Sequence, residues 1–498
     1  MRKIITLSMV ALFATGVYAN TDSKEQNSTQ MQIDALKAQI VQMQKTQDEK
    51  IAKLEKKAKK NSKKISAVNK LANNDNLKFN ADLRESYDYI SYKDAKGNTS
   101  SNGIFSNRLW LKMAYAPTSN LAFYGTLAYN KIYGQATAPS QGFNYYDWIV
   151  NETVNPSDEI RLKEAYFLYK NDTFLGMDIP WTASIGRRPS TDGLLVNYRE
   201  DAKAKSAIGH NINMEFDGAS FYYSLENLTD ISGMSLKFCF GRGMSNSTSR
   251  FSGVTQNPDG TFSPSNPPSN DYSKVDGFDN TDLVGILFNP YDDGQYSLHT
   301  VWFDAFNLPG MVSVGSAAAP KYKFEQVGDV SGGAVSFVAD GIGDEISDML
   351  DETVFFASYA YSRTTPDSTM LGSSDNEVGR SVYVGANWPC QLIDDARVGI
   401  EYNHGDKYWR SFTYGEDTLV GSKLATRGDA YEVWFNKDLI GKKLTAQVRY
   451  TYIDYKYTGS NGFFGDAGTP MTMSEALANG MNPVDKAQDI RAYIRYRY

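Results

Sequence analysis

The sequence predicts an all-β fold, a transmembrane antiparallel β-barrel of about 16 strands (roughly 14–18) preceded by an α-helical coiled-coil segment. Three observations favour it. Aromatic residues make up 13% of the chain although hydrophobic residues make up only 41%. Segments in which apolar and polar residues alternate strictly recur from Leu77 to the last residue, Tyr498. Beyond the N-terminus, no stretch approaches the roughly 20 consecutive apolar residues that a membrane-spanning helix requires.

Composition excludes several other classes of protein. With 2 Cys in 498 residues, the chain is neither a disulfide scaffold nor a carrier of Cys-rich metal clusters. Its 3 His provide little material for a His-based metal site. We therefore expect no cofactor and no metal. The lack of long apolar stretches also excludes helical transporters and receptors.

Residues 1–19 are predicted to be a signal peptide. Met1-Arg2-Lys3 is cationic, Ile4 to Phe13 is apolar except for Thr6 and Ser8, and Val17-Tyr18-Ala19 has the small-x-small pattern of a cleavage site. The apolar part is too short to span a bilayer, and polar sequence follows it. Exported without a helical anchor, the chain is expected in the periplasm, outside the cell, or in the outer membrane as a barrel.

Residues 20–76 are predicted to form a periplasmic coiled-coil helix, because this segment contains no Trp, Tyr, Phe, Gly or Pro. Apolar residues recur there at spacings of three and four, with Gln47 and Asn61 on the same stripe. These residues are Ile33, Leu36, Ile40, Met43, Ile51, Leu54, Ala58, Ile65, Val68 and Ala72. A single helix this polar has no core of its own, so it needs identical partners. We therefore expect a homotrimer formed through the barrel and the coiled coil. A solvated Lys-rich spacer helix is the alternative.

Charge divides the chain at the same boundary. Residues 1–76 contain 14 Lys and Arg against 7 Asp and Glu, whereas the remainder contains 37 against 51. A basic stalk below an acidic body favours contact with anionic peptidoglycan, lipid headgroups or a periplasmic partner. Nucleic acid is not expected as a partner.

Residues 77–498 are predicted to be the barrel, in contact with outer-membrane lipid. Leu77, Phe79 and Ala81 alternate with Lys78 and Asn80, which puts apolar side chains on one face of a strand. Short turns alternate with long loops between such segments, as in outer-membrane barrels. The predicted strands are 77–91, 104–115, 120–133, 160–170, 181–188, 219–226, 234–241, 282–289, 295–305, 333–339, 353–363, 380–388, 396–403, 429–436, 443–457 and 488–498.

The last predicted strand is the most specific feature. One face carries Ile490, Ala492, Ile494, Tyr496 and Tyr498, and the other carries Arg491, Tyr493, Arg495 and Arg497. This strand must pair with the first one, because a barrel in lipid cannot leave a strand edge unpaired.

The polar faces of the strands predict a charged lumen. The residues expected to line the pore are Arg84, Arg108, Lys112, Arg188, Arg397, Glu401, Arg449, Arg491 and Arg495, joined by Asp82 and Glu432. Guanidinium groups stay charged and bind oxyanions bidentately, and rings of Arg or Lys favour anions. Alternatively, these charges only solvate the wall and pair with one another. The acidic surplus is expected largely in extracellular loops such as 340–352, with a periplasmic turn as the alternative for some of these residues.

Arg187 and Arg188 stand at a strand-to-loop junction, inside the stretch Gly186-Arg-Arg-Pro-Ser-Thr-Asp-Gly193. One interpretation is that they anchor the following loop in the lumen and so shape a constriction. The other is that they reach the lipid headgroups from the membrane interface.

The stretch Gly186–Ser190 and the terminal strand carry a resemblance to known families. A terminal Tyr with apolar residues two, four, six and eight places before it resembles the last strand of Gram-negative outer-membrane proteins. The chain resembles porin-like families, including an uncharacterised outer-membrane family of similar length with a Gly-Arg-Arg-Pro-Ser/Thr stretch. Its layout is also similar to that of phosphate-selective trimeric porins. The resemblance implies an outer-membrane barrel, a periplasmic coiled coil and an Arg-lined pore, but identifies no solute.

The function predicted is that of a porin for passive diffusion of small polar, in particular anionic, solutes. The alternatives are a surface protein (an adhesin or scaffold) and a substrate-specific transporter without an open pore. An enzyme is not expected, and no catalytic residue is assigned. His210 and His404 are assigned to loops and His299 to a strand, and none has a Ser or Asp at a spacing typical of a catalytic triad.

Overall fold

The computed structural model describes residues 77–134, 160–188, 193–246, 254–256, 261–264, 279–313, 322–343, 346–413, 418–461 and 465–498, together with Lys37. The predicted signal peptide (1–19) and, apart from Lys37, the predicted coiled coil (20–76) lie outside the described residues. Both therefore stay predictions.

Sixteen antiparallel strands form a closed barrel in which each strand pairs with its neighbours in the chain. They are β1 Lys78–Asp94, β2 Thr99–Tyr115, β3 Leu121–Ile132, β4 Arg161–Asn171, β5 Trp181–Arg188, β6 Phe216–Ser224, β7 Ser235–Met244, β8 Thr281–Asp292, β9 Tyr296–Ser313, β10 Tyr322–Asp340, β11 Val354–Pro366, β12 Val378–Pro389, β13 Ala396–Gly405, β14 Gly428–Ile440, β15 Leu444–Tyr455 and β16 Val484–Arg497. Each predicted strand overlaps one of them, so the predicted barrel and its strand number are confirmed.

Period-two alternation sets the two faces of the wall. On β11, Phe355, Tyr359 and Tyr361 are exposed, whereas Phe356 and Ser358 between them are buried. The same alternation runs along β16, where Ile490, Ile494 and Tyr496 point outward and their neighbours point into the lumen. Successive side chains of a strand lie on opposite faces, so the wall presents an apolar outer surface and encloses the polar face.

The last strand closes the barrel against the first, as predicted. The ladder runs from Asp82 opposite Arg497 to Asp94 opposite Val484. Beyond it, the Ala81 N–H donates to the Tyr498 carbonyl at 3.1 Å, and the Tyr498 N–H donates back at 2.9 Å. Closure leaves no unpaired strand edge.

The connections obey the up-and-down topology. Each even-numbered strand returns the chain to the barrel end at which β1 begins, and short turns such as 293–295 and 441–443 lie there. The connection after β10, residues 341–353, lies at this same end. The placement of 340–352 in an extracellular loop was therefore wrong, and the alternative of a turn at the end where β1 begins applies. Asp340 ends β10, and Asp348–Asp351 is a short helix within that turn.

Smaller elements occupy the other connections. Within the described part of the barrel, the α-helices are Glu226–Thr229, Asp348–Asp351 and Met473–Ala478, and Val196–Tyr198 is a 3₁₀ turn. Gly193–Leu194 pairs in parallel with Ser206–Ile208, and Val254–Gln256 pairs with Phe262–Pro264. Among the described residues, no helix has both the length and the apolar character needed to cross a bilayer.

Two of the connections that the structure describes fold into the lumen. The first inserted segment, residues 193–215, follows β5, and the second inserted segment, residues 406–413 and 418–427, follows β13. They pair with each other, because the Phe412 N–H donates to the Asn211 carbonyl at 3.1 Å and the Asn213 N–H donates to the Phe412 carbonyl at 2.7 Å. Leu195, Ile208 and Ile212 of the first segment join an apolar core with inward side chains of β8–β12 such as Phe303 and Phe356.

Replacing Gly399 by Ala tests how tightly the lumen is packed. A Cβ at this inward position of β13 would lie 2.2 Å from Cε2 of Trp434, a residue that is only 2% exposed. We expect Gly399→Ala to lower the free energy of unfolding by about 1–3 kcal/mol, because the indole must move. Urea unfolding of the refolded barrel measures this. Gly285→Ala in β8 is the control, since its Cβ would come no closer to any neighbouring atom than 3.3 Å, at the Trp302 carbonyl oxygen. Equal losses in both variants would contradict the prediction.

Candidate functional site

The nine residues predicted to line the pore all lie in barrel strands with their side chains inward. Six of them are buried: Arg84, Arg108, Glu401, Arg449, Arg491 and Arg495. Lys112, Arg188 and Arg397 are partly exposed. All nine residues therefore face the same lumen. Six of them belong to a buried network, and the other three lie in more open positions. Their contribution to conduction stays a prediction.

Asp82 on β1 is the centre of one group of buried charges. Both of its oxygens accept from Arg495, at 2.8 and 2.7 Å, and Lys112 Nζ lies 3.0 Å away. Arg108 Nη2 lies 3.7 Å from the same carboxylate and stacks its guanidinium over the Trp110 ring. Adjacent strands β16, β1 and β2 supply these groups, so the sheet register itself assembles the cluster.

Glu200 connects the first inserted segment to this cluster. Its carboxylate accepts from Arg495 Nη1 at 3.1 Å and from the Tyr493 hydroxyl at 2.9 Å, and Arg449 Nη1 lies 3.8 Å away. The neighbouring Arg199 donates to Glu432 of β14 at 3.1 Å. A loop carboxylate and a loop guanidinium thus complete the ionic network of the wall.

Lys423 links the second inserted segment to charged residues of the wall, as Arg199 and Glu200 link the first. It donates to Glu432 at 2.5 Å and also pairs with Glu401. Glu401 accepts further hydrogen bonds from Tyr383 at 2.6 Å and from Trp434 Nε1 at 3.1 Å. Lys423, Glu401 and Glu432 are all buried, so each charge depends on the others for its stability in the protein interior.

Arg199, Glu200 and Lys423 were missed by the sequence analysis, which searched the alternating strand faces. They lie in connections, where no period marks them. The available signal was the apolar residues beside them, such as Leu194-Leu195-Val196 and Leu424-Ala425, within segments otherwise expected to be solvated. Apolar residues in a connection indicate that it packs against something.

The structure favours the loop-anchor interpretation for Arg187, whereas the contacts of Arg188 are with residues of the barrel wall. Arg187 lies 3.9 Å from Glu215, the last residue of the first inserted segment, and 3.6 Å from Asp217. Arg188 donates to the Ser184 hydroxyl at 2.6 Å and places its guanidinium 4.3 Å from the centre of the Tyr166 ring. Gly186 is needed before them: it has φ 133°, and a Cβ there would lie 2.2 Å from the Ala165 carbonyl oxygen.

The more open side of the lumen faces β2–β7. Its partly exposed inward side chains include Lys112, Arg188 and Lys237, with Glu164 as an acidic member. Lys205, exposed on the first inserted segment, is close enough to Lys112 to repel it electrostatically. Tyr166 stacks on Tyr124 with ring centres 5.3 Å apart, which holds an aromatic surface beside the cations. This side therefore carries net positive charge.

His210 anchors the first inserted segment to the opposite wall. Its Nδ1 lies 2.9 Å from the Ser358 hydroxyl and its Nε2 lies 2.8 Å from the Ser381 hydroxyl. Burial lowers the pKa of His210 to about 3, with a small opposing contribution from Asn403. The ring is therefore neutral at physiological pH, and it holds the segment to the wall through its two hydrogen bonds.

His404 was assigned to a loop, and this was wrong. It lies in β13, because the strand continues to Gly405, and its Nδ1 is 2.9 Å from Asp429. Among the residues described, no group of three or more His, Cys, Asp and Glu side chains is arranged to hold a metal ion. Cys239 and Cys390 are both free.

Residues 98–498 match the model of a family described as "Protein of unknown function (DUF3373)". The chain belongs to this family. A search of curated proteins found no match.

Solved structures similar to this family member include the outer membrane protein OmpT of Vibrio cholerae in a trimer form, with 11% identity, TM-score 0.44, and coverage of 85% of this chain and 99% of that one. OprB of Pseudomonas putida has 12% identity and a TM-score of 0.45, and the match covers 85% of this chain and 94% of that one. An anion-selective porin from Comamonas acidovorans has 11% identity and a TM-score of 0.45, and the match covers 85% of this chain and 100% of that one. Similarity at this level carries no argument about solute or assembly.

Replacing Lys423 by Met tests whether the buried network holds the inserted segments in place. Without the ammonium, Glu432 keeps Arg199 and Arg449, but Glu401 has no cationic partner left among the described residues. A buried carboxylate without a cation is costly, and we expect a loss of about 3–5 kcal/mol in unfolding free energy. Lys442→Met is the matched control, since that lysine pairs with Asp201 and Asp438 in a 64% exposed position and such pairs contribute roughly 0–1 kcal/mol. Urea unfolding compares the two, and similar losses would show that the network adds little.

Acidification is expected to loosen the first inserted segment around His210. An exposed histidine has a pKa of about 6.5, whereas the buried one has a pKa of about 3. The opened segment therefore binds a proton more strongly between these values, so the packed state is fully favoured above the higher pKa and loses stability as pH falls toward the lower one. Hydrogen-exchange protection of residues 209–213, corrected for intrinsic rates, measures this from about pH 7 to 4.

His210→Gln is the control for that experiment. Its amide retains polar partners for Ser358 and Ser381 but gains no proton in this range. Protection in the variant should be independent of pH where protection in the wild type falls. A parallel decline in both proteins would place the effect elsewhere.

Proposed function

We propose that this protein is a β-barrel channel of the Gram-negative outer membrane through which small polar solutes, preferentially anions, diffuse passively. The closed wall, its apolar outer face and its aromatic-ended last strand support the membrane location. We further propose that it is not an enzyme and needs no cofactor, that lipid surrounds it, and that it forms a homotrimer through the barrel and the predicted coiled coil, with the coiled coil in the periplasm and in reach of peptidoglycan.

The observation that carries the anion preference is the charge of the more open side of the lumen. Lys112, Arg188 and Lys237 project there from three different strands, and Lys205 reaches it from the first inserted segment. Of the partly exposed inward side chains described on β2–β7, Glu164 supplies the opposing charge. Fixed cations along a passage lower the energy of an anion inside it and raise that of a cation.

The buried network has a separate task in this proposal. Arg449, Arg491 and Arg495 are committed to carboxylates, so they set the shape of the passage rather than bind the solute. Because the inserted segments fill the opposite side with an apolar core, we expect the remaining passage to be narrow. We therefore expect small solutes and low conductance.

A substrate-specific transporter without an open pore is the second candidate. The observation that favours it is the same apolar core, in which Phe303, Phe356 and Trp409 occupy lumen space that water fills in a wide porin. Such a protein would bind its substrate and move a segment to release it. Conductance separates the two candidates directly.

Single-channel recording of the refolded protein in a planar bilayer with a salt gradient tests the proposal. We expect a reversal potential that shows anion preference. Each charge that a permeating ion passes at about 4 Å in water is worth about 1 kcal/mol, or roughly fivefold in the permeability of that ion, with opposite signs for anions and cations. Lys112→Gln with Arg188→Gln should therefore reduce the anion-to-cation ratio severalfold, and Arg242→Gln should not, because Arg242 is exposed and paired with Asp282 at 2.6 Å.

Three other outcomes are distinct. Cation preference in the wild type would retain the channel and reject the basic passage. An unchanged ratio in the Lys112–Arg188 variant would place selectivity in other residues. A folded barrel that carries no current would favour the transporter.

A further inference from the structure

A cavity of about 70 Å³ lies between the first inserted segment and strands β5–β9. One part of its lining is basic and consists of Arg188, Lys205 and Lys237. Another part is apolar and consists of Ile212, Met214, Leu283, Leu287, Val301 and Phe303. The cavity thus combines two chemistries that are separated elsewhere in the lumen, where the ionic network and the apolar core occupy different sides.

Within the described part of the chain, two of these basic groups, Arg188 and Lys237, lack the carboxylate partner that several other cations of the lumen have. Arg495, Arg491 and Lys423 each contact a carboxylate. Among the described residues, by contrast, Arg188 and Lys237 make no ion pair; Arg188 is held by Ser184 and Tyr166, and Glu164 attracts it without contact. Taking a cation out of water without a partner is costly, so this arrangement favours the entry of an anion.

The apolar part restricts what kind of anion fits. Ile212, Leu283 and Phe303 are at most 9% exposed and belong to the apolar core. A fully hydrated anion such as phosphate would leave these side chains in contact with ordered water. An anion with a short hydrocarbon tail would instead bury the tail against them, which is worth about 0.8 kcal/mol for each CH₂ removed from water.

The volume of the cavity sets the length of that tail. A water molecule occupies roughly 10–15 Å³ when measured in the same way, so 70 Å³ corresponds to about five to seven waters. A monocarboxylate with two to four carbons beyond its headgroup matches this number of non-hydrogen atoms. Longer acids would have to displace the first inserted segment.

We infer that the cavity is a binding site for short-chain monocarboxylates, with the carboxylate held by Arg188 and Lys237 and the tail against Ile212, Leu283 and Phe303. Arg188 presents a planar fork of donors that suits a carboxylate, and Lys237 adds a point charge from the next strand but one. This inference deepens the proposed function and rests on it for the route by which solutes reach the lumen. It identifies the favoured solute class as carboxylates with a hydrocarbon tail.

Cys239, which also lines the cavity, provides a direct assay of occupancy. In a Cys390→Ser background it is the only thiol of the chain, and Cys390 uses only its backbone N–H, which donates to the Ala396 carbonyl at 2.8 Å. The full-length protein in lipid vesicles would be treated with methyl methanethiosulfonate, which is small and uncharged. The labelling rate would be compared in butyrate, phosphate and chloride at equal ionic strength.

We expect butyrate to slow the labelling of Cys239 by about tenfold at roughly ten times its Kd, since about nine in ten sites are then filled. Phosphate should slow it much less, and chloride serves as the reference. In Lys237→Met the thiol should still react but butyrate should no longer protect it. Arg242→Met, on the same strand but outside the cavity and paired with Asp282, should retain full protection.

Several results would overturn the inference. Equal labelling in butyrate and chloride would mean that the cavity does not bind the acid. Equal protection by phosphate and butyrate would mean a general anion site without a tail pocket. Protection that survives Lys237→Met would remove the proposed headgroup contact. The labelling assay does not require conduction, so it tests the binding site separately from the channel. If butyrate protects Cys239 in a barrel that carries no current, the channel is rejected and the binding site is retained. If the barrel carries current but butyrate gives no protection, the binding site is rejected and the channel is retained.

Discussion

Every feature of the lumen depends on the closed hydrogen-bonded ladder between β1 and β16. In lipid an open sheet edge would leave a row of unpaired N–H and C=O groups, so the wall is stable only as a cylinder. Closure also fixes the register of the two strands, with Arg84 opposite Arg495 and Asp88 opposite Arg491. Because guanidinium groups are thereby forced into proximity, carboxylates have to lie among them, and Asp82, Asp88 and Glu200 do.

The two inserted segments convert this cylinder into an asymmetric lumen. On one side they bring Arg199, Glu200 and Lys423 into the ionic network of β13–β16, where each group compensates another. On another side Leu195, Ile208 and Ile212 complete an apolar core. Both kinds of contact exclude water, so in the proposed channel solutes would pass along the remaining face, β2–β7. On that face, no inserted carboxylate reaches Arg188 or Lys237 among the described residues, whereas Lys112 is paired with Asp82 of the wall.

The cavity beside Arg188 lies at the boundary between the packed side of the lumen and the open face along β2–β7. The end of the first inserted segment supplies Ile212 and Met214, and β8 and β9 supply the rest of the apolar lining. The basic groups come from β5, β7 and the loop itself. An amphipathic pocket therefore results from a boundary between a packed and an open region. Its selectivity for a tailed carboxylate would follow from position, since neither wall alone distinguishes such an acid from phosphate or from a hydrocarbon.

The sequence by itself determined the sixteen strands, their inward and outward faces and the closing role of the last strand. It could do so because a strand half in lipid and half in the lumen repeats its chemistry every two residues, as Ile490 and Arg491 show. It placed the predicted charges in the lumen but not their partners. Only the tertiary structure decided that Arg495 is committed to Asp82 and Glu200, while Arg188 remains available. Those pairings depend on connections such as 193–215, whose path has no periodic signal and is set by what it packs against.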